Sequence, residues 1–295
     1  LTGRPVAAAL AAAGTGFQVG AAIVATRFAI AEIGPASLAF LRYGIGFLFL
    51  VPALLAFRRV PFARRDILPI AVLGIGQFGI LIVLLNIALQ SISAARAALI
   101  FATFPLLTML IAAMLGRERL GPLSQFGVLL TVAGVAAALG GKAVGDGPAA
   151  LPWLGYGAAF ASTLTGAVCA VFYRPYLERY PALQVSAFAM AASVAFLAVF
   201  AAGEGLFAGL PDYSGQALGA VLFIGVSSGI GYWLWLYALT HASPSRVTVF
   251  LGLSPITAAL LGVPVLGEPL GWATLAGLGI LLAGLWLALR GPRAA

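Results

Sequence analysis

Apolar runs of helix-spanning length, each closed by a short polar or basic cluster, follow one another along the whole of this chain. A helix needs ~20 apolar residues to cross ~30 Å of hydrocarbon. The runs predict ten helices, at roughly 5–28, 35–57, 67–90, 94–115, 122–140, 152–173, 181–203, 215–240, 245–266 and 270–290. Open strands would leave backbone groups unpaired in lipid. A barrel needs apolar and polar residues to alternate, whereas Ile80-Leu81-Ile82-Val83-Leu84-Leu85 is apolar on every side. Prolines stand where several helices should start (Pro5, Pro35, Pro122, Pro152 and Pro181), positions at which a missing N–H costs nothing.

The pattern also repeats. Residues 77–140 laid without a gap over 227–290 match Ser93 with Ser243, Arg96 with Arg246, Pro105 with Pro255 and Glu118 with Glu268. Leu120-Gly121 falls on Leu270-Gly271, and Ala133-Gly134 on Ala283-Gly284. Arg, Glu and Pro are too rare here to match by composition alone. The expected organisation is an N-terminal five-helix repeat over 1–145 and a C-terminal one over 146–295, forming one membrane domain. An odd number of spans per repeat gives the halves opposite topology, so the fold class is an all-α membrane protein of ten transmembrane helices in two inverted repeats. In such proteins the site lies between the repeats.

Composition agrees: 62% of the residues are hydrophobic and only 8% charged, with a mean hydropathy of +1.10. A soluble domain carries about a quarter charged residues. The net charge of +8 comes as clusters between apolar runs, not as a basic face, which speaks against a nucleic-acid partner. With the N-terminus in the cytoplasm, the inside receives Arg4, Arg58, Arg59, Arg64, Arg65, Arg117, Arg119, Arg174, Arg179, Arg246, Arg290 and Arg293. The outside keeps Arg27, Arg96 and Lys142, so both termini are expected to be cytoplasmic. The apolar stretch from Pro5 to about Ala25 is long for a signal peptide and reads as a first span. Cys169 has no second cysteine to pair with. No metal or cofactor motif and no enzyme motif appears: there is no H-E-x-x-H, P-loop lysine or G-x-S-x-G, and His241 is the single histidine.

Gly74-Ile75-Gly76-Gln77-Phe78-Gly79 spells G-x-G-x-x-G, but mid-span it reads as small residues for helix packing. The spacings Gly16/Gly20 and Gly225/Gly229 read the same way. Pro105 and Pro255 sit mid-span at matching places and should kink their helices, either as paired hinges or as static kinks. The expected cavity lining is neutral and hydrogen-bonding: Thr15 and Gln18, Gln77, Thr103, Ser162 and Thr165, Ser228 and Ser254. Phe17, Phe78, Tyr232 and Trp233 would add stacking faces, while Trp235 could equally face lipid. Arg42 is the one charge well inside a span; it either snorkels outward toward Glu32 or attracts a substrate carboxylate. All eight acids, Glu32, Asp66, Glu118, Asp146, Glu178, Glu204, Asp212 and Glu268, fall in loops or at helix ends. Ion-driven carriers usually hold a carboxylate in the membrane, so facilitated movement without obligatory ion coupling is expected.

The segments Ala88-Leu89-Gln90-Ser91-Ile92-Ser93-Ala94-Ala95-Arg96, Leu115-Gly116-Arg117-Glu118-Arg119-Leu120-Gly121 and Leu266-Gly267-Glu268-Pro269-Leu270, with Leu41-Arg42-Tyr43, resemble the drug/metabolite transporter superfamily. Within it the chain resembles the ten-helix drug/metabolite exporter branch, and is most similar to bacterial aromatic amino-acid exporters. The resemblance implies inverted repeats around a central cavity, a location in the bacterial inner membrane, and export of small metabolites such as amino acids by alternating access. Partners would be the substrate and the bilayer, with no obligate protein partner. A proton-coupled multidrug exporter is the alternative, but it wants a carboxylate inside the first helix, which has none. A non-transporting scaffold would not need the duplication.

Overall fold

The computed structural model describes residues 3–56, 60–116, 121–140, 152–208, 213–267 and 271–290. Glu118, Glu268, Asp146, Asp212, Lys142, Arg58, Arg59, Arg117, Arg119 and Arg293 lie outside them. Among the described residues ten helices form: α1 Gly3–Ala29, α2 Pro35–Ala56, α3 Arg64–Ser91, α4 Ala94–Met114 and α5 Pro122–Gly140 in the first half. The second half holds α6 Pro152–Leu177, α7 Ala182–Gly203, α8 Gly215–His241, α9 over 244–266 and α10 Trp272–Arg290. The prolines expected at helix starts sit there: Pro35, Pro122 and Pro152 open α2, α5 and α6, and Pro181 precedes α7.

The packing obeys the repeat. Helix α1 lies against α8 and α9, and its counterpart α6 lies against α3 and α4. The pairs α2–α7, α4–α9 and α5–α10 join each helix to its own mate. Exchange of contacts in this way is what a two-fold relation requires. With five spans per half, that axis lies in the membrane plane.

Three helices are irregular. In α3 a π-helical turn, Ile75–Ile80, carries most of the glycine motif. Its glycines pack closely: a Cβ on Gly74 would come within 2.4 Å of Ala189 O, and one on Gly76 within 2.9 Å of Cys169 Sγ. Packing, not phosphate binding, explains them. Helix α4 breaks between Phe101 and Phe104, just before Pro105. Helix α9 passes through a 3₁₀ stretch, Val249–Gly252, just before Pro255. The breaks sit at equivalent places in the two repeats, as the paired prolines demand.

Polar clasps tie the halves together at opposite faces. The turn after α1 holds the start of α8: Glu32 accepts the Ser214 N–H at 2.8 Å and its hydroxyl at 2.6 Å. These bonds, the hydroxyl's first, hold the Glu32 carboxyl below the usual glutamate range. The corresponding turn after α6 holds the start of α3. There Asp66 accepts the Tyr180 hydroxyl at 2.7 Å and Arg179 Nη1 at 3.2 Å. Glu204, at the end of α7, caps α2 by accepting from Ala36 N at 2.9 Å and Ser37 N at 2.7 Å. Asp66 is only 5% exposed, and Asp66→Ala leaves the buried Tyr180 hydroxyl, which still accepts the Ala63 N–H at 3.0 Å, without an acceptor for its own proton. The expected loss is about 1–3 kcal/mol, read as a fall of ~2–4 °C in melting temperature per kcal/mol. An unchanged melting curve would show that the clasp carries no stability.

Candidate functional site

A half-open cavity lies between the halves, with about 610 Å³ of empty space when its open mouth is counted. The first repeat contributes Thr15, Gln18, Val19 and Ile23 from α1, Arg42 and Tyr43 from α2, and Gln77, Leu81, Ile82 and Leu85 from α3. Phe101 and Phe104 flank the α4 break. The second repeat contributes Ser228, Gly231, Tyr232 and Trp235 from α8 and Leu251 from the 3₁₀ stretch of α9. Four pairs of lining positions are mates under the 150-residue shift: Leu81 with Gly231, Ile82 with Tyr232, Leu85 with Trp235, and Phe101 with Leu251. The cavity therefore straddles the pseudo-two-fold axis, and the chemistry of its walls has diverged. Three aliphatic positions on α3 face a glycine and two aromatics on α8.

The polar lining bridges the repeats. Thr15 Oγ1 shares its proton between Ala11 O of its own helix at 3.0 Å and Gly231 O at 3.1 Å, and Gln18 Nε2 donates to Ser227 Oγ at 3.3 Å. Arg42 Nε donates to Ser228 Oγ at 2.7 Å, and its guanidinium lies 5.3 Å from the centre of the Tyr43 ring. At 7% exposure Arg42 is buried. It forms no ion pair among the described residues. Outward snorkelling toward Glu32 does not occur: Arg42 turns inward to α8, while the Glu32 oxygens are taken by Ser214.

Of the thirteen expected lining residues, Thr15, Gln18, Arg42, Gln77, Ser228 and Tyr232 come together at the cavity, and the other seven do not. Phe17 and Trp233 point out of the bundle, at 52% and 40% exposure. Helical geometry explains both. Ser228, Tyr232 and Trp235 share one stripe at i, i+4 and i+7, and Trp233 falls on the opposite side. Phe17 is likewise two residues from Thr15 and faces away from it. Phe78 is fully buried behind the wall, edge-on to Tyr43 at 4.7 Å and to Tyr232 at 4.1 Å. Thr103 and Thr165 bond to carbonyls of their own helices, Ile100 O at 2.7 Å and Ala161 O at 2.8 Å, as single hydroxyls in helices commonly do. Ser162 bonds across to Leu81 O at 2.8 Å. Ser254 is buried where α9 meets α1.

The sequence reading does not single out Tyr43, Phe101 and Phe104 as lining, and it leaves Trp235 open between cavity and lipid. The stripe through Ser228 would have found Trp235, and the paired prolines point to Phe101 and Phe104. Tyr43 carries no signal beyond its place beside Arg42.

Among the described residues no group of His, Cys, Asp and Glu is placed to hold a metal ion. An uncharacterised transporter of Archaeoglobus fulgidus is 26% identical over 92% of this chain and 94% of its own. The "Probable terminal-alkyne amino-acid exporter" of Streptantibioticus cattleyicolor is 29% identical over 69% of this chain and 67% of its own. A crystal structure with 26% identity superposes over 95% of this chain and 96% of that one, with a TM-score of 0.73. The pattern of the EamA-like transporter family matches twice, at residues 6–140 and 153–290. The chain therefore belongs to the EamA-like transporter family: it is a multi-pass membrane transporter whose two family units both contribute walls to the cavity.

Proposed function

We propose that the protein exports neutral amino acids, aromatic ones included, and related small metabolites across the bacterial inner membrane, with both termini cytoplasmic. Alternating access to the central cavity moves the substrate. The observation that carries this reading is the cavity itself, walled by symmetry mates from both repeats and furnished with one cation and an aromatic face. Inverted repeats place substrate sites at their interface, and an aromatic wall suits an apolar side chain. The amino-acid exporter among the relatives supports the substrate class. The paired breaks at Pro105 and Pro255 serve as hinges, since Phe101 and Leu251 beside them line the cavity.

Transport is facilitative. Among the described residues the carboxylates Glu32, Asp66, Glu178 and Glu204 stand at helix ends, and none lines the cavity. In liposomes of purified protein, labelled phenylalanine is expected to run down its gradient at a rate unchanged when proton and sodium gradients are collapsed. Null flux for every amino acid would overturn the reading, and strict gradient dependence would overturn the uncoupled mechanism alone.

A further inference from the structure

Resting on the amino-acid reading, we propose that the cavity is built for the zwitterion. Arg42 seats the carboxylate, the side-chain amide of Gln77 takes the ammonium group, and Ser228 is the positioning residue that aims Arg42.

The Arg42 end is set by its one hydrogen bond. Ser228 occupies Nε, and neither Nη group makes a hydrogen bond or ion pair with a described residue. The two Nη groups of a guanidinium form a planar fork that matches a carboxylate bidentately. Ser228 belongs to the other repeat, so the fork is fixed from across the cavity.

The Gln77 end is an unpaired amide. Gln77 lines the cavity, and its Oε1 is buried without a hydrogen-bond partner. An orphaned carbonyl of this kind is costly until a donor meets it. The oxygen and nitrogen of the amide present the same outline, so in the proposed bound state a half-turn of the amide offers the acceptor to the ammonium and leaves Nε2 in the buried position. Tyr43 and Phe78, the chain neighbours of Arg42 and Gln77, touch ring to ring at 4.7 Å. The helices that carry Arg42 and Gln77 pack against each other, and both side chains line the one cavity. Among the described residues no second charged one lines the cavity, so a dicarboxylate or phosphate would lack a partner for its second charge. A lipophilic cation would meet Arg42 and no acid.

The test is uptake of labelled L-phenylalanine into liposomes of the full chain, competed by unlabelled L-phenylalanine, 3-phenylpropionate and phenethylamine. Unlabelled phenylalanine is expected to compete about tenfold or more better than either analogue, since each lacks one charge-assisted hydrogen bond. Gln77→Leu, or Gln77→Met where the leucine variant folds poorly, should erase the advantage over 3-phenylpropionate and leave the analogue's own potency nearly unchanged. Gln77→Glu should keep the advantage. Ser228→Ala should weaken both carboxylates together while sparing phenethylamine, and Ser228→Thr should restore them. The ratio of competitors within one variant is independent of how much of it folds. Equal competition by 3-phenylpropionate in the unaltered protein, or an unchanged ratio in Gln77→Leu and Gln77→Met, overturns the zwitterion site alone. Absence of phenylalanine uptake by the unaltered protein overturns the amino-acid reading and this inference with it.

Discussion

A single methyl group at Gly16 is expected to force α1 away from α9 and lower the melting temperature by several degrees. The added Cβ would lie 2.1 Å from Phe250 O, 3.0 Å from Phe250 C and 3.2 Å from Leu253 Cβ. Two of these are backbone atoms in or next to the 3₁₀ stretch, so no rotamer change relieves the overlap. Overpacking costs about 1–3 kcal/mol, and a clash with backbone belongs at the upper end. That corresponds to ~2–4 °C per kcal/mol for a domain of this order of size. Gly20, one turn on, meets Ser254 O at 2.4 Å and Thr257 Cβ at 2.6 Å. Both sites press on one interface, so the double variant should depart from additivity. Gly14 is the control. A Cβ there would meet only Leu234 Cδ1, at 3.6 Å, and alanine should be neutral or slightly stabilising through helix propensity. Melting curves in detergent decide the matter: Gly16→Ala melting together with Gly14→Ala would show that the α1–α9 contact is looser than described.

Arg42→Leu should make the protein more stable and nearly inactive. A cation at the centre of a span costs ~2.5–3.5 kcal/mol. Arg42 recovers only part of that through Ser228 and the Tyr43 ring, and no carboxylate among the described residues neutralises it. Leucine removes the cost, and the freed Ser228 hydroxyl can turn to a carbonyl of its own helix. A gain of about 1–3 kcal/mol follows, with a loss of about 100-fold in kcat/KM for carboxylate substrates, the worth of a charge-assisted bond. Such opposition of stability and activity marks a residue kept for function. A lower melting temperature in Arg42→Leu would make the arginine structural, and unchanged flux would place it outside the transport path.

Much of the fold is legible in the sequence because membrane helices announce themselves locally, through apolar length, proline starts and the 150-residue repeat. The π turn of α3 is not legible, because it lies where the helix backbone closely approaches a distant helix, as at Gly74 against Ala189. The clasps at Asp66 and Glu204 are equally silent, joining residues 114 and 168 positions apart. At the site, residue type is the guide that holds. Arg42, Gln18 and Gln77 stood out because a charge or amide in lipid demands a partner. Trp233, expected as a stacking face, lies outside the cavity, and the helical stripe through Ser228 brings Trp235 there instead. Thr103 and Thr165 show the limit of the polar criterion, since each satisfies itself within its own helix.

The unequal walls of the cavity carry a consequence for ancestry. A pair of identical ancestral subunits would have offered the same groups twice, whereas here one copy supplies the guanidinium and the other the indole. Fusion let the copies divide that labour and removed the freedom to separate. Neither half, assembled with a duplicate of itself, would rebuild the chamber, so covalent linkage has turned two interchangeable subunits into mutually dependent ones.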